Sequence, residues 1–273
     1  MTDQAERYDR IAAGYGQWWA PVLARDATAV LDEVDGEVRA GARDLIDVGT
    51  GTGTLAIAAV RRWPGITITA VDISAGMAAA AGREADAALP SADRKRLRTA
   101  VAPADDLPFS AASFDVAISS FVYQLVPNRF RALREVHRVL RPGGLLAYVT
   151  WLADARAFAP DEDLDATLDE IGVGAREWDD RPGDVPSVEA AAAQLRRAGF
   201  RDVRAVGGLL EHPFEREGYL RFVTEFDEED LVASFEPDLR HRFDDRLRSR
   251  LAARRHDELV LRLPIVRVVG RRN

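Results

Sequence analysis

Three glycines occupy alternate positions in the stretch DLIDVGTGTGTLAI (residues 44–57), directly after an apolar run. Glycine permits positive φ and has no Cβ, so Gly49, Gly51 and Gly53 would let a ligand approach the backbone closely. A helix that begins after them would also offer its unpaired N–H groups. Asp47 stands two residues before the first glycine, where a carboxylate repels a pyrophosphate and suits a cationic ligand. The stretch therefore predicts a ligand-binding turn between a strand and a helix.

A second carboxylate, Asp72, ends the next apolar run in the segment ITITAVDIS. A carboxylate at the end of a second strand can accept hydrogen bonds from both hydroxyls of a ribose. The dinucleotide fingerprint G-x-G-x-x-G would need a glycine where this chain has Thr54. The two motifs indicate a ligand with a nucleoside part. An NAD(P)-dependent oxidoreductase stays as an alternative that Thr54 and Asp47 disfavour.

The pattern around these motifs is that of an α/β protein. Short β-branched runs alternate with helical stretches, which indicates βαβ units and a parallel sheet. The strands predicted up to residue 151 are 44–48, 66–72, 97–102, 114–119 and 145–151. The helices predicted there are 53–62, 75–88 and 129–140, the last capped by Asn128. Further on, Ser187 is placed to cap a helix, and strands are expected at 200–206 and 259–271.

Three parts of the chain follow from this pattern. Residues 1–41 are predicted to form an N-terminal helical cap with a break at 14–16. Residues 42–211 together with 259–273 would form the ligand-binding core. The charged stretch 212–258 carries spaced aromatic residues and is interpreted as a helical lid inserted near the C-terminus.

Composition excludes several classes of function. The chain has 273 residues, no cysteine and a formal net charge of −8. It can form neither disulfides nor thiolate metal sites, and the scattered histidines predict no metal site. An acidic total disfavours nucleic acid as a partner. Since no apolar run reaches membrane-spanning length and the N-terminal segment is polar, we expect a cytoplasmic protein without stable membrane association.

Four stretches carry a resemblance to a known family: DVGTGTGTLAI, VDIS with Met77, LPFSAASFDVAISS and REVHRVLRPGGLLAYVTW. Together they resemble class I S-adenosylmethionine-dependent methyltransferases, and most of all the small-molecule enzymes of the ubiquinone/menaquinone-biosynthesis type. The resemblance covers roughly residues 44–151. It implies a Rossmann-like, seven-stranded, mostly parallel sheet with helices on both faces. It also implies S-adenosylmethionine as the cofactor and methyl transfer as the reaction.

The resemblance also implies roles for individual residues. Asp47 and the backbone of Gly49, Thr50, Gly51 and Gly53 would hold the methionine end of the cofactor. Asp72 would hold the ribose hydroxyls. The other cofactor-binding candidates border the adenine, the ribose or the reacting methyl group, and they are Ile73, Met77, Ala104, Asp105 and Ser119.

Two departures from the family pattern concern the adenine and the acceptor. Pro103 stands where relatives often have an aspartate that binds the adenine amino group, so either Asp105 substitutes or the adenine is held by backbone and packing. Many relatives carry a His-His pair after the fourth strand, and this chain has Tyr123 and Gln124 there. A histidine base is therefore absent from that position.

Methyl transfer from a sulfonium depends mainly on positioning, so a base is needed only if the acceptor must lose a proton. The candidates for a catalytic group are Tyr15, Tyr123 and His212. The candidates for acceptor binding are the aromatic residues Tyr8, Tyr15, Trp18, Trp19, Tyr123 and Trp151. We expect a small, apolar or aromatic acceptor. A non-catalytic protein that binds S-adenosylmethionine or S-adenosylhomocysteine on the same fold is the second alternative, and the sequence leaves the oligomeric state unknown.

Overall fold

The computed structural model describes residues 3–153, 157–174, 176 and 183–273. Seven strands form one sheet in the order β3-β2-β1-β4-β5-β7-β6. The strands are β1 (Asp44–Val48), β2 (Thr67–Asp72), β3 (Leu97–Val101), β4 (Phe114–Ser120), β5 (Leu140–Trp151), β6 (Phe200–Pro213) and β7 (Val260–Arg272).

The first five strands are parallel, because β1 pairs in parallel with β2 and β4, β2 with β3, and β4 with β5. Strand β7 runs antiparallel to β5, with Ile265 opposite Trp151 and Arg271 opposite Leu145. This confirms the predicted seven-stranded, mostly parallel sheet. The chain order reverses at β1, whose two neighbours are β2 and β4, and ligands of such sheets bind outside the carboxyl ends of the strands at that reversal.

Twelve α-helices lie within the described residues, together with two short 3₁₀ segments and one π segment. In the first half of the chain they are α1 (Asp3–Trp18), α2 (Ala20–Thr28), α3 (Val30–Arg39), α4 (Thr54–Arg62), α5 (Ala75–Ala88), α6 (Ser91–Arg94) and α7 (Arg129–Val139). In the second half they are α8 (Ala159–Glu170), α9 (Val188–Arg197), α10 (Arg216–Phe222), α11 (Glu229–Ala233) and α12 (Pro237–Ala253). None of the described helices is long and apolar enough to cross a membrane.

Side-chain caps fix where several of these helices begin. The Asn128 side chain accepts a hydrogen bond from the Arg131 amide at α7, and Ser187 accepts one from the Ala190 amide at α9. Both caps are as predicted, and Ser74 caps α5 in the same way. Each cap satisfies an amide that has no partner within its own helix.

The predicted break at residues 14–16 is wrong, because α1 continues through it to Trp18. The break lies instead at Trp19, and α2 follows with Pro21 in its first turn, where proline is tolerated. A Cβ at Gly16 would lie 3.6 Å from Thr52, which is ordinary contact distance. The small residue therefore serves close packing of a continuous helix.

The described chain divides into two compact units. The first is Met1–Ala153, Arg181–Gly208 and Pro264–Asn273, and the second is Asp154–Asp180 and Leu209–Leu263. The stretch predicted as an insertion, 212–258, falls in the second unit and is helical, but the unit also takes in part of the chain before α9. Within it α8 packs on α12, and the Arg254 guanidinium bridges both carboxylate oxygens of Asp163 at 2.8 and 2.9 Å. A lid role for 212–258 stays a prediction.

Candidate functional site

The glycine loop follows β1 and is fastened to β2. The amides of Gly49 and Thr50 both donate to the Val71 carbonyl, at 2.8 and 2.9 Å. The loop then enters α4 through Gly53, whose φ is +88°. The strand, the glycine turn and the helix therefore occur in the predicted order at the carboxyl edge of the sheet.

The three glycines differ in what surrounds them. A Cβ on Gly49 would lie 2.2 Å from Val122, in the loop after β4, and one on Gly53 would lie 3.1 Å from Ala81. A Cβ on Gly51 would meet only Tyr15, at 3.9 Å. Gly49 and Gly53 are thus required for packing, whereas Gly51 leaves its backbone open to a ligand.

Asp47 is fully buried beneath this loop. Its Oδ2 accepts a hydrogen bond from the Thr50 hydroxyl at 2.7 Å, and its Oδ1 is buried without a hydrogen-bond partner among the described residues. Burial raises the pKa of Asp47 to about 7, and the charge of Asp72 adds to this rise. The Thr50 hydroxyl and the Ala56 backbone amide act to lower it. A buried carboxylate with an unpaired oxygen favours a positively charged ligand group nearby.

Asp72, partly buried at the end of β2, is held by two backbone amides. The Gly51 amide donates to Oδ2 at 2.9 Å and the Ser74 amide donates to Oδ1 at 3.0 Å. Burial raises the pKa of Asp72, while these two amides act to lower it. The carboxylate is thus fixed in orientation, and each of its oxygens keeps a lone pair for a ribose hydroxyl.

The residues expected near the adenine lie next to Asp72. The Ala102 amide donates to the Asp72 carbonyl at 2.8 Å, and the chain then turns with the Asp106 amide donating to the Pro103 carbonyl at 3.2 Å. Ala104 and Asp105 are the two central residues of this turn. Ile73 is partly buried, and Met77 is fully buried in the first turn of α5.

Ser119 is fully buried on β4, and its hydroxyl donates to the Val48 carbonyl at 2.7 Å. This bond joins β4 to the end of β1, just before Gly49. The hydroxyl proton of Ser119 is therefore used in this hydrogen bond, and only the lone pairs of its oxygen are available to a ligand.

Two of the predicted acceptor residues follow the sheet, Tyr123 in the loop after β4 and Trp151 at the end of β5. Tyr123 is fully buried, lies edge-on to Tyr148 with the ring centroids 4.8 Å apart, and has a hydroxyl with no hydrogen-bond partner in the described part of the chain. Trp151, at the end of β5, packs on Phe121 at 4.3 Å between ring centroids. Burial raises the pKa of Tyr123, so its phenol is neutral near pH 7 and is a poor base.

The N-terminal aromatic residues lie along α1 and at its end. The rings of Tyr8 and Tyr15 meet edge to face with centroids 6.2 Å apart. Burial raises the pKa of Tyr15, and the neighbouring Tyr8 and Asp72 raise it further, so Tyr15 can donate a hydrogen bond but is a poor base. Trp18 and Trp19 are partly buried at the junction of α1 and α2.

The third catalytic candidate, His212, belongs to the second unit. Its ring packs against Phe214 at 4.7 Å, and burial lowers its pKa, which keeps the imidazole neutral at pH 7. The aromatic residues of this unit pack mainly on one another, with buried rings at Phe158, Phe214, Tyr219 and Phe222. Their spacing in the sequence is therefore explained by the core of the unit itself.

Sequence reasoning missed two polar residues at this site, Asp9 on α1 and Ser74 before α5. The Ser74 hydroxyl donates to Asp9 Oδ1, and the Ser74 amide holds Asp72. The serine after VDI is a readable capping signal, but nothing in the sequence shows which face of α1 is packed. In the described ranges no three His, Asp or Glu side chains are grouped as a metal site.

Comparisons with known proteins support this description. Residues 46–148 match a family described as "Methyltransferase domain". The chain is 34% identical over 196 residues to malonyl-(acyl-carrier protein) O-methyltransferase of Geobacter sulfurreducens, covering 72% of this chain and 69% of that protein. It is 39% identical over 101 residues to the ubiquinone/menaquinone biosynthesis C-methyltransferase UbiE of Geotalea daltonii, covering 37% of this chain and 42% of that protein. The second match spans less than half of either chain.

Solved structures share the fold at low sequence identity. The (4+2)-cyclase SpnF matches with a TM-score of 0.56 at 18% identity, covering 93% of this chain and 83% of that one. A sarcosine dimethylglycine methyltransferase from Galdieria sulphuraria, described as putative, matches with a TM-score of 0.55 at 15% identity, covering 91% and 86%. These likenesses concern the fold alone.

The packing of Gly49 predicts a large loss of stability on substitution. Gly49→Ala would place a Cβ inside Val122 at a φ of +71°, and we expect a loss of roughly 3 kcal/mol in urea unfolding. Gly143→Ala is the matched control, because Gly143 has a φ of +82° and nothing within 4 Å of a Cβ, so only about 1 kcal/mol of backbone strain applies. Equal losses in the two variants would contradict the close approach of Val122.

The burial of Asp47 predicts a pH-dependent stability of the ligand-free chain. The pKa of Asp47 in the folded chain, about 7, lies above its value in the unfolded chain, which is about 4. The free energy of unfolding therefore falls as the pH rises from the unfolded pKa through 7, because the buried carboxyl must then lose its proton. Asp47→Asn should remove this loss, so its free energy of unfolding should exceed that of the wild type by roughly 4 kcal/mol at pH 8.5 and by much less at pH 4. Urea unfolding at both pH values measures this, with Glu84→Gln, an exposed residue of α5, as the control. A constant difference between Asp47→Asn and wild type at the two pH values would refute the assignment.

Proposed function

We propose that this chain, which belongs to the class I S-adenosylmethionine-dependent methyltransferases and uses that cofactor, methylates a small apolar or aromatic acceptor. The observation that carries the proposal is the pairing of two carboxylates around an open backbone. Asp47 offers a buried oxygen with no hydrogen-bond partner among the described residues, Asp72 is held by two amides, and at Gly51 a Cβ would come only within 3.9 Å of the Tyr15 ring.

These residues fit the chemical groups of the cofactor. Buried Asp47 favours a cation, and the methionine end of S-adenosylmethionine carries an ammonium and a sulfonium. Asp72 would accept the two ribose hydroxyls, and the turn at Ala104 and Asp105 would border the adenine. Met77, in the first turn of α5, and Ile73, directly after β2, would pack against the nucleoside.

When bound, S-adenosylmethionine supplies an electrophilic methyl group on a sulfonium with a good neutral leaving group. The protein then has to hold the acceptor in line with that methyl group, and this contribution comes from orientation. Ser119, at the end of β4, would lie beside the reacting centre with its lone pairs toward it. Trp151, at the end of β5, and Phe121, directly after β4, pack with their rings tilted by 32° and would form an aromatic wall that orients the acceptor and excludes water.

The acceptor is proposed from the side chains at this edge. An apolar or aromatic molecule would be enclosed by aromatic side chains. Four of them belong to the N-terminal segment and two follow the sheet: Tyr8, Tyr15, Trp18, Trp19, Tyr123 and Trp151. The names of two relatives point to acceptors of different kinds, a malonyl thioester on a carrier protein and a quinone precursor. Tyr15 and Tyr123 stay neutral and are poor bases, so an acceptor that needs deprotonation would depend on its own acidity.

Cofactor binding is tested first by calorimetry with S-adenosylhomocysteine. We expect micromolar binding to wild type, and roughly 100-fold weaker binding to Asp72→Ala, because two hydrogen bonds to a charged group would be lost. Glu84→Gln should bind like wild type. Binding of NADH instead of S-adenosylhomocysteine would favour the oxidoreductase alternative, and binding of neither would remove the cofactor assignment.

Turnover separates an enzyme from a non-catalytic binding protein. S-adenosylmethionine with a labelled methyl group would be incubated with a substituted hydroquinone, a phenol and a malonyl thioester, and labelled products would be identified by mass spectrometry. We expect label in the aromatic acceptors and its loss in Asp72→Ala. Label in the malonyl thioester alone would overturn the aromatic assignment, and S-adenosylhomocysteine binding without any labelled acceptor would favour the non-catalytic alternative.

A further inference from the structure

One face of α1 packs along α5 and over the glycine loop. Ala5 and Ala12 are buried on this face, and Tyr15 and Gly16 continue it toward Gly51 and Thr52. Apolar and small positions spaced at three, four and seven residues form one stripe of a helix. The only carboxylate on this stripe within the described part of α1 is Asp9.

Asp9 is the polar attachment of α1 to α5. Its Oδ1 accepts a hydrogen bond from the Ser74 hydroxyl at 2.5 Å and another from the Gly76 amide at 2.8 Å. A Cβ on Gly76 would lie 3.1 Å from that oxygen and 3.2 Å from the Asp9 Cα, which is tighter than ordinary contact. The glycine thus allows the backbones of the two helices to approach, and the carboxylate fixes their register.

Ser74 joins this attachment to the ribose-binding carboxylate. It is fully buried; its hydroxyl donates to Asp9 and accepts from the Met77 amide, while its own amide donates to Asp72 at 3.0 Å. Asp9 is therefore linked to Asp72 by direct hydrogen bonds through a single intervening residue, Ser74. A movement of α1 that breaks the bond to Ser74 removes one of the hydrogen bonds that hold this residue and leaves those to Met77 and Asp72.

The arrangement has an electrostatic cost that points to a function. The charge of Asp9 acts to raise the pKa of Asp72, so a second carboxylate stands near one that is already desolvated. An uncharged residue could pack here without this repulsion. The hydrogen bonds from Ser74 and Gly76 lower the pKa of Asp9 and so favour its charged form at this place, which fixes the geometry of the site.

We propose that Asp9 is a positioning residue that fastens α1 over the cofactor site, and that its bond to Ser74 sets how long the nucleoside stays bound. The proposal rests on the proposed cofactor-binding role of Asp72. With Asp9 in place, Ser74 holds Asp72 in its ribose-binding orientation and α1 holds Tyr15 at the open backbone of Gly51. Release of the nucleoside then requires α1 to separate from α5.

The test compares three variants of α1 in the full chain. Asp9→Ala removes both hydrogen bonds, Asp9→Asn keeps a neutral acceptor oxygen, and Glu6→Gln changes an exposed carboxylate on the same helix. Dissociation of S-adenosylhomocysteine is measured by stopped-flow competition, and amide hydrogen exchange is measured over α1 and the first turn of α5. Thermal unfolding of each variant is recorded alongside.

We expect S-adenosylhomocysteine to dissociate roughly 10-fold faster from Asp9→Ala, as for the loss of a charge-assisted hydrogen bond. The dissociation rate from Asp9→Asn should lie between those of wild type and Asp9→Ala, and the rate from Glu6→Gln should equal that of wild type. In Asp9→Ala the amides of α1 should exchange faster, and bound S-adenosylhomocysteine should no longer protect them fully.

Two results would overturn the proposal. One is an unchanged dissociation rate in Asp9→Ala, whether or not α1 exchanges faster, because the contact would then serve stability alone. The other is an equal effect of Glu6→Gln, which would point to charge on α1 in general. Failure of wild type to bind S-adenosylhomocysteine is a distinct result that removes the proposed cofactor site, and the role of Asp9 with it.

Discussion

The hydrogen bond from the Gly51 amide to Asp72 is the contact on which the rest of the site depends. It joins the loop after β1 to the end of β2, where two further amides of that loop donate to the Val71 carbonyl. The parallel register of β1 with β2 brings these chain segments to the same edge of the sheet. The fold therefore provides the site with a carboxylate whose direction is fixed before any ligand arrives, and a fixed acceptor loses less entropy on binding than a mobile one.

Electrostatics make the same edge selective for charge. Asp47 and Asp72 are both desolvated. The charge of Asp72 acts to raise the pKa of Asp47, the charge of Asp9 acts to raise the pKa of Asp72, and the hydrogen bonds from Thr50, Gly51 and Ser74 compensate only in part. A positively charged ligand relieves this strain, whereas a pyrophosphate would increase it. Charge thus distinguishes the cofactor from a dinucleotide at the same kind of glycine turn, independently of the missing third glycine of the fingerprint.

The sequence was sufficient to predict what local patterns encode. Apart from the short helix α6, which was not predicted, the order of strands and helices from residue 44 to 151 follows from short-range spacing. The caps Asn128 and Ser187 follow from it as well, and the placement of Asp47, Gly51 and Asp72 at one edge follows from the rule that parallel strands end together. The course of α1 through residues 14–16 was mispredicted, because two glycines near each other indicate a break when the packing partner is unknown. Asp9 could not be recognised for the same reason: its significance comes from Ser74 and Gly76, which are far away in the sequence.

The second unit shows where the limit of such reasoning lies for the acceptor. Its spaced aromatic residues were part of the reason to predict a lid, and the structure shows that Phe214, Tyr219 and Phe222 are buried against one another and form the core of the unit. Burial of a ring within its own unit and contact of a ring with a ligand leave the same signal in a sequence, since both require an apolar side chain at intervals along a helix. The aromatic residues at the ends of β4 and β5 are different, because the parallel sheet places Phe121 and Trp151 at the edge that also carries Gly49 and Asp47. The aromatic residues at these two strand ends therefore support an aromatic acceptor more strongly than the larger number of aromatic residues elsewhere in the chain.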